Sequence, residues 1–313
     1  MTEPAIDYSW VAVHGFGAHV KSTRESLVIQ QKNGTRHYPL DSVKNLIIVG
    51  GHTISTATLS QLARKGAFVT FFDTDGIPTG MIRPYNTPSI PPAGTAPGQV
   101  SHHRYAVGLA ESSMKSRLVA IESLQEAASS RLFLEGEQEV VYKAFEEVGY
   151  LVKLDEIQRI ARLVSDMYYE IASRALSPAF GFRRRTSRPH TDPVNAMLSF
   201  GYSMLYGSCI VAIIGARLDP DAGILTAGPG GLVQDLIDPL KAKMVDRVVF
   251  DTAIRILQET DYEQASGRCI LSENLARFLA ESFRMSIDDG IVGEQVCGFR
   301  NSLWDTSSFR ALY

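Results

Sequence analysis

Residues 83–99 read RPYNTPSIPPAGTAPGQ, and the prolines at 84, 88, 91, 92 and 97 in this stretch decide how the chain divides. Each proline removes an amide donor, fixes φ near −65° and pushes the preceding residue out of the helical region, so neither a helix nor a paired strand runs through it. Upstream, residues 8–84 carry short apolar or alternating runs, WVAVHGFGAHV, SLVIQQ, NLIIVG and AFVTFF. They are punctuated by Asn33-Gly34 and Asp75-Gly76, which is the pattern of strands and turns. One helix is expected among them, in ISTATLSQLARKG, with Thr53 or Ser55 as cap and Gly66 at its end. Downstream from Val100 the spacing of Leu109, Met114, Leu118, Ile121 and Leu124 is helical, and no further strand pattern is expected. The expectation is an α+β two-domain chain. It has a β-rich N-terminal domain (residues 1–84) of small sheets plus one helix, a proline-rich linker (85–99) and a larger all-α C-terminal domain (100–313).

The whole chain has 313 residues, with 31 Lys and Arg against 34 Asp and Glu, a formal charge of −3. That balance excludes a uniformly basic coat for nucleic acid. Cys209, Cys269 and Cys297 are odd in number and widely spaced, which excludes a disulfide framework or a CxxC metal clip and points to a reducing compartment. The opening MTEPAIDYSW has neither the basic nor the apolar part of a secretory signal, so a cytoplasmic location is expected. Asn195 to Ala216 is uncharged and long enough to span a bilayer. Its asparagine, serines and tyrosines favour a helix buried in protein, and no membrane association is expected. His190-Thr191-Asp192-Pro193 supplies the start of that helix, with Asp192 as N-cap and Pro193 where no donor is needed.

Several motifs carry chemistry. IIVGGHTISTATL resembles a phosphate-holding strand, glycine turn and helix, yet Gly50-Gly51 lacks the third glycine of GxGxxG, and a tight turn is the better reading. GPGG at 228–231 is not followed by Lys-Ser/Thr and is read as a loop before a helix. FRRRTSRPH gathers Arg183, Arg184, Arg185 and Arg188, and planar guanidinium groups suit phosphate. A solvated or internally paired loop is the competing reading of that cluster. All seven histidines lie at or before His190, so a metal site in the last third would have to use carboxylates, amides, cysteines or water. There, DLIDPLKAKMVDRVV carries Asp235 and Asp238, three residues apart on one helical face, a pair suited to Mg²⁺ or Mn²⁺. Acids favoured by the dipole of a helix's first turn are the alternative.

The order of a β-rich domain, a proline linker and a helical domain, followed by RRTSRPHTDPVNAMLSFGYSMLYGSCIVAIIGARLDPDAGIL and DLIDPLKAKMVDRVV, resembles the CRISPR-associated integrase and endonuclease family, the universal adaptation protein Cas1. IIVGGHTISTATLSQLARKGAFVTFFDTDGIPTGMI is similar to that family's first domain, and the resemblance runs from about residue 10 to 285. It implies a DNA-binding dimer acting in spacer acquisition, part of antiviral defence. Such dimers are often bridged by the small protein Cas2, with the dimer contact in the strand-rich half. It also implies transesterification at phosphodiesters assisted by a magnesium or manganese ion held by a Glu, a His and an Asp or Glu. Set against the family's pattern, the Glu position falls on Ala161, with Tyr168 at an aromatic position, and the His position falls on Thr226. Asp235 and Asp238 match the acidic helix, leaving Asp238 as the one weak metal ligand.

The reading that follows is a spacer-acquisition protein that binds branched or duplex DNA through Arg183, Arg184, Arg185 and Arg188 and is catalytically impaired. It would act as a homodimer or beside a competent paralogue. The alternative is an active divalent-metal-dependent endonuclease or integrase using Asp235, Asp238 and an unidentified ligand. A third possibility, a protein that kept the fold without DNA binding, needs the arginines to be paired internally. Trp304, Phe309 and Tyr313 in the tail are expected to pack on their own domain.

Overall fold

The computed structural model describes residues 10–32, 34–73, 78–85, 101–128, 130–187, 189–265, 267–305 and 309–313. The chain divides into two compact units, Met1–Ser89 and Ile90–Tyr313. Most of the expected proline linker, Arg188 and the Asp75-Gly76 turn lie outside the described residues.

In the first unit the strands are β1 (Trp10–Val13), β2 (His19–Ser22), β3 (Ser26–Gln31), β4 (Gly34–Pro39), β5 (Asn45–Val49), β6 (Thr53–Ile54), β7 (Phe68–Phe72) and β8 (Pro78–Ile82), with helix α1 (Thr56–Arg64) between β6 and β7. One sheet has the order β1-β5-β7-β8. Its first three strands are parallel, in a register that sets Val11 beside Leu46 and Leu46 beside Val69. A parallel pair such as β5 and β7 needs a crossover rather than a hairpin, and α1 lies on that connection. The second sheet, β4-β3-β2-β6, begins as an antiparallel meander. Leu27, Ile29, Leu46, Leu62 and Val69 meet in a shared core. Ser55 caps α1 by accepting from the Thr58 amide at 3.1 Å. Gly66, at φ +79°, turns the chain after α1 toward β7. Gly50-Gly51 is a tight turn: a Cβ on Gly50 would sit 2.6 Å from the Gly15 carbonyl oxygen.

The second unit is built from α2 (His102–Ala128), α3 (Glu137–Val148), α4 (Leu154–Ser173), α5 (Pro193–Gly215), α6 (Gly231–Lys241), α7 (Arg247–Arg255), α8 (Glu273–Ser286) and α9 (Asp289–Asp305). A single π turn, Ala242–Asp246, joins α6 to α7. α2 packs against α4 and α6 and buries Leu109, Met114, Ile121 and Leu124. Asp192 caps α5 as its spacing predicts, accepting from the Asn195 amide at 2.7 Å. By length and composition α5 could cross a membrane, and half of its most apolar window is buried within this unit.

One expectation is corrected. The helical unit also holds a hairpin of β9 (Tyr262–Ala265) and β10 (Arg268–Leu271), turned at Gly267 with φ +77°. Four-residue strands are too short for their alternation to stand out against helical flanks. Phe309 of the tail stacks edge-on against Phe299 at 5.4 Å, and Ser112 donates to the Ala311 carbonyl at 3.1 Å, so this part of the tail packs on its own unit. The Trp304 side chain lies outside the described part.

Candidate functional site

The site is assembled where α2, α4 and α5 converge on α6 and the π turn. α6 starts at Gly231, whose backbone lies so close to the preceding loop that a Cβ there would sit 2.2 Å from the Thr226 carbonyl oxygen. Gly223, on the other side of the loop, is equally confined. Asp235, on the second turn of α6, faces this loop. Its Oδ2 accepts the amides of Ile224 at 2.5 Å and Leu225 at 2.9 Å, and the Thr226 hydroxyl also donates to the carboxylate. Burial raises its pKa, and those hydrogen bonds act in the opposite direction. Asp235 therefore spends its acceptor capacity on shaping the loop.

Asp238, one turn on, faces α2. The Arg117 guanidinium reaches both its oxygens, at 3.0 and 3.1 Å, the Lys241 ammonium lies 3.0 Å from Oδ1, and the Ser113 hydroxyl donates to Oδ2. Ser113 and Arg117 are four residues apart and Lys241 is three residues beyond Asp238, so two helices deliver the three donors from adjacent turns. Loss of hydration opposes ionisation, but the charges of Arg117 and Lys241 and the hydrogen bonds from Arg117 and Ser113 hold the Asp238 carboxyl well below the usual carboxylate range. The Arg117 pKa is correspondingly raised despite its burial. About a third of the Asp238 side chain, 36%, stays open, against 6% of Arg117.

Deeper in the unit, Asp246 is 1% exposed. Tyr168 and Tyr202 donate to it at 2.9 and 2.5 Å, and the Tyr169 hydroxyl meets that of Tyr202 at 2.6 Å. Burial pushes the Asp246 pKa up, against the two phenol hydrogen bonds and the charges of Arg117 and Lys241. Cations cover the phenol faces. Arg117 lies over Tyr168 at 5.9 Å, while Arg185 and Lys241 lie over Tyr202 at 5.2 and 5.3 Å.

α4 contributes one face. Gln158 donates to the Leu225 carbonyl near its start and Tyr168 to Asp246 near its end, so Ala161, three residues after Gln158, lies on the face turned to the site. It presents a methyl group there. Thr226 is exposed on the loop that Asp235 holds. His190 is buried elsewhere, its Nε2 2.5 Å from Ser199 Oγ and its Nδ1 3.1 Å from Thr186 Oγ1.

A hard divalent cation requires several free oxygen or imidazole ligands converging on one point. Among the described residues no three His, Cys, Asp or Glu side chains converge in this way. The oxygens of Asp238 are engaged by two cations and a hydroxyl, and those of Asp235 by amides. These residues do not fit a magnesium or manganese ion.

The arginine cluster separates into different roles. Arg183 and Arg184 are exposed. Arg185 turns inward, donating to Asn195 Oδ1 at 2.7 Å and to Ser199 Oγ at 2.5 Å. Arg117, Lys241, Asp246 and Tyr202 were not singled out in the sequence. The available signals were the Ser113/Arg117 spacing, a lysine three residues after Asp238, and a third aspartate in the same helical run.

The family model for CRISPR associated protein Cas1 matches residues 11–285. A curated relative from Methanospirillum hungatei, "Putative CRISPR-associated endonuclease Cas1 2", is 38% identical over 297 residues, covering 94% of this chain and 98% of its own length. Among solved structures, a CAS1 protein from Thermotoga maritima superposes with a TM-score of 0.69 at 17% identity, covering 97% of this chain and all of that one. A casposase bound to its integration product gives 0.63 at 16% identity, covering 94% and 90% of the two chains. A Cas6-RT-Cas1–Cas2 complex gives 0.68 at 16%, covering 99% of this chain and 37% of that one. The family model spans most of the chain and the Methanospirillum relative is 38% identical along nearly its whole length: this chain belongs to the Cas1 family.

Proposed function

We propose that this chain is a DNA-binding subunit of CRISPR adaptation whose α6 site does not support metal-dependent strand cleavage. Family membership supports an adaptation or integrase-type role. The observation that carries the finer reading is the occupation of Asp238 by Arg117, Lys241 and Ser113, with Ala161 and Thr226 in place of further ligands. The local charge there is two cations beside the ionised Asp238, while burial raises the pKa of Asp246 against its phenol hydrogen bonds. Such a site attracts a phosphodiester without a divalent ion. Arg183 and Arg184 add an exposed cationic edge, and Arg188 belongs to the same sequence cluster. DNA is the partner, branched or duplex, together with a second copy or a competent paralogue. Cas2 is the further partner, as in the solved Cas1–Cas2 assembly. The three cysteines are free, in keeping with the reducing cytoplasm as its location.

A second reading has one observation in its favour. The open third of Asp238 leaves room for an incoming ligand to displace Lys241, which would restore a magnesium- or manganese-dependent nuclease. Titration of Mn²⁺ and Mg²⁺ into the purified chain with branched DNA, at two salt concentrations, separates the two. Salt-sensitive binding without cleavage or strand transfer is expected. Metal-dependent products that vanish in a folded Asp238→Asn variant would overturn the proposal.

A further inference from the structure

Asp238 and Asp246 sit on a helical stretch whose regular bonding is broken twice. Pro239 lies inside α6. It has no amide to offer the Asp235 carbonyl, and its ring crowds that carbonyl, so the ladder loses a rung in the turn that carries Asp238. The π turn Ala242–Asp246 then moves the bonding from the fourth residue to the fifth, a second break that ends at Asp246 itself. Prolines and π turns are the places where helices bend, so the course of this stretch depends on what its neighbours hold.

Two side chains from late in the chain donate to carbonyls at these breaks. Gln295 on α9, 1% exposed, reaches the Leu236 carbonyl with its Nε2 at 3.1 Å. Ser286, the last residue of α8, gives its hydroxyl to the Met244 carbonyl inside the π turn at 2.8 Å. Gln295 is itself held. Its Oε1 accepts the Leu312 amide at 2.7 Å, and the Ala311 carbonyl beside that amide accepts the Ser112 hydroxyl at 3.1 Å. Ser112 adjoins Ser113, which donates to Asp238. The bonds therefore close a ring: α2 to the tail, the tail to Gln295, Gln295 to α6, and α6 back to α2 through Asp238, Ser113 and Arg117. Apolar packing of Phe309 and Ala311 alone would tie the tail down. A buried amide bonded at both ends adds direction, because a satisfied polar network specifies one arrangement of the elements it joins.

We propose that Gln295 is a positioning residue for the α6 site and that Ala311 and Leu312 latch it, so that the end of the chain sets how Asp238 meets Ser113 and Arg117. This concerns the charge cluster itself and does not rest on the DNA-binding reading.

A double-mutant cycle, read by urea unfolding of the full chain, tests it. Gln295→Met keeps a side chain of similar length and removes both of its hydrogen bonds, while Arg117→Met breaks the pair with Asp238. Residues that share no partner and merely pack in the same unit contribute additively. The expected result is that Arg117→Met lowers the folding constant about tenfold less in the Gln295→Met background than in the wild type. Hydrogen exchange locates the effect. In Gln295→Met the amides of residues 231–255 exchange about tenfold faster, the scale of one buried hydrogen bond, while those of α4 keep the wild-type rate. Deletion of Leu312 and Tyr313 removes the amide that holds Gln295 and gives the same pattern to a smaller degree. Additive costs in the cycle, equal acceleration throughout the helical unit, or wild-type exchange in the deletion variant would each overturn the proposal. The deletion takes away one half-buried and one exposed residue, so it can replace Gln295→Met in the cycle if that variant does not fold.

Discussion

Asp238 and Asp246 lie eight residues apart on one continuous helical stretch, yet they are held in opposite ways. Asp238 is clamped by an arginine and a lysine, remains anionic and keeps a third of its side chain in contact with solvent. Asp246 is enclosed by phenols and almost fully buried, and burial raises its pKa. The difference teaches that a carboxylate's address on a helix says little about its chemistry. The groups delivered by the neighbouring helices set its environment, two cations and a hydroxyl for Asp238 and two phenols for Asp246.

The largest effect expected from breaking this contrast comes from Arg117→Met. It leaves Asp238 with Lys241 and Ser113 and should cost about 3 kcal/mol, the low end for breaking a buried pair because part of Asp238 is solvated. Urea unfolding measures it. Combining it with Asp238→Leu should recover much of the loss, since an apolar replacement for both partners removes the unpaired charge. Tyr202→Phe should cost about 2 kcal/mol, by taking from Asp246 a hydrogen bond that nothing else replaces in the buried site.

The pH dependence should then run in opposite directions for the two acids. Asp238 has a depressed folded pKa, so its stabilisation is present above the unfolded value near 4 and is lost as pH falls. The cost of Asp238→Asn is therefore greatest at neutral pH and shrinks on acidification. Asp246 has a raised folded pKa, so stability falls as pH rises from the unfolded value through the folded one. The cost of Asp246→Asn should be greatest in acid and shrink toward neutrality. Parallel profiles from urea titrations between pH 3 and pH 8 would dissolve the contrast. The smallest effect on the fold is that of Arg183→Ala/Arg184→Ala. Stability should be unchanged, while the log–log salt dependence of duplex DNA binding should flatten by roughly 0.9 for each phosphate contact removed.

The division into a sheet-rich and a helical unit was legible because apolar period is a local property, and five prolines mark the change. The β9–β10 hairpin was not, since four residues per strand leave no period to read. At the site, the two acids of α6 were visible as an i, i+3 pair, but their roles were not. The partner that defines Asp238, Arg117, lies 121 residues earlier on a helix whose arginine could equally have faced water. Arg185 shows the converse. Its sequence neighbours face solvent, and only the fold turns its guanidinium toward Asn195 and Ser199.

The loop that ends at α6 has a consequence for experiment. Its shape is set by Asp235 gripping backbone amides and by glycines at 223 and 231 that admit no side chain, while the exposed Thr226 adds its hydroxyl to the same carboxylate. Position 226 is thus an exposed point on a braced backbone, where exchanging the occupant gives up one hydroxyl bond to Asp235 and keeps the backbone amides that hold the loop. A cysteine placed there in a background free of the three native ones would carry a spectroscopic label at a fixed stance. It would act as a gauge of how closely a nucleic-acid strand approaches the acidic helix.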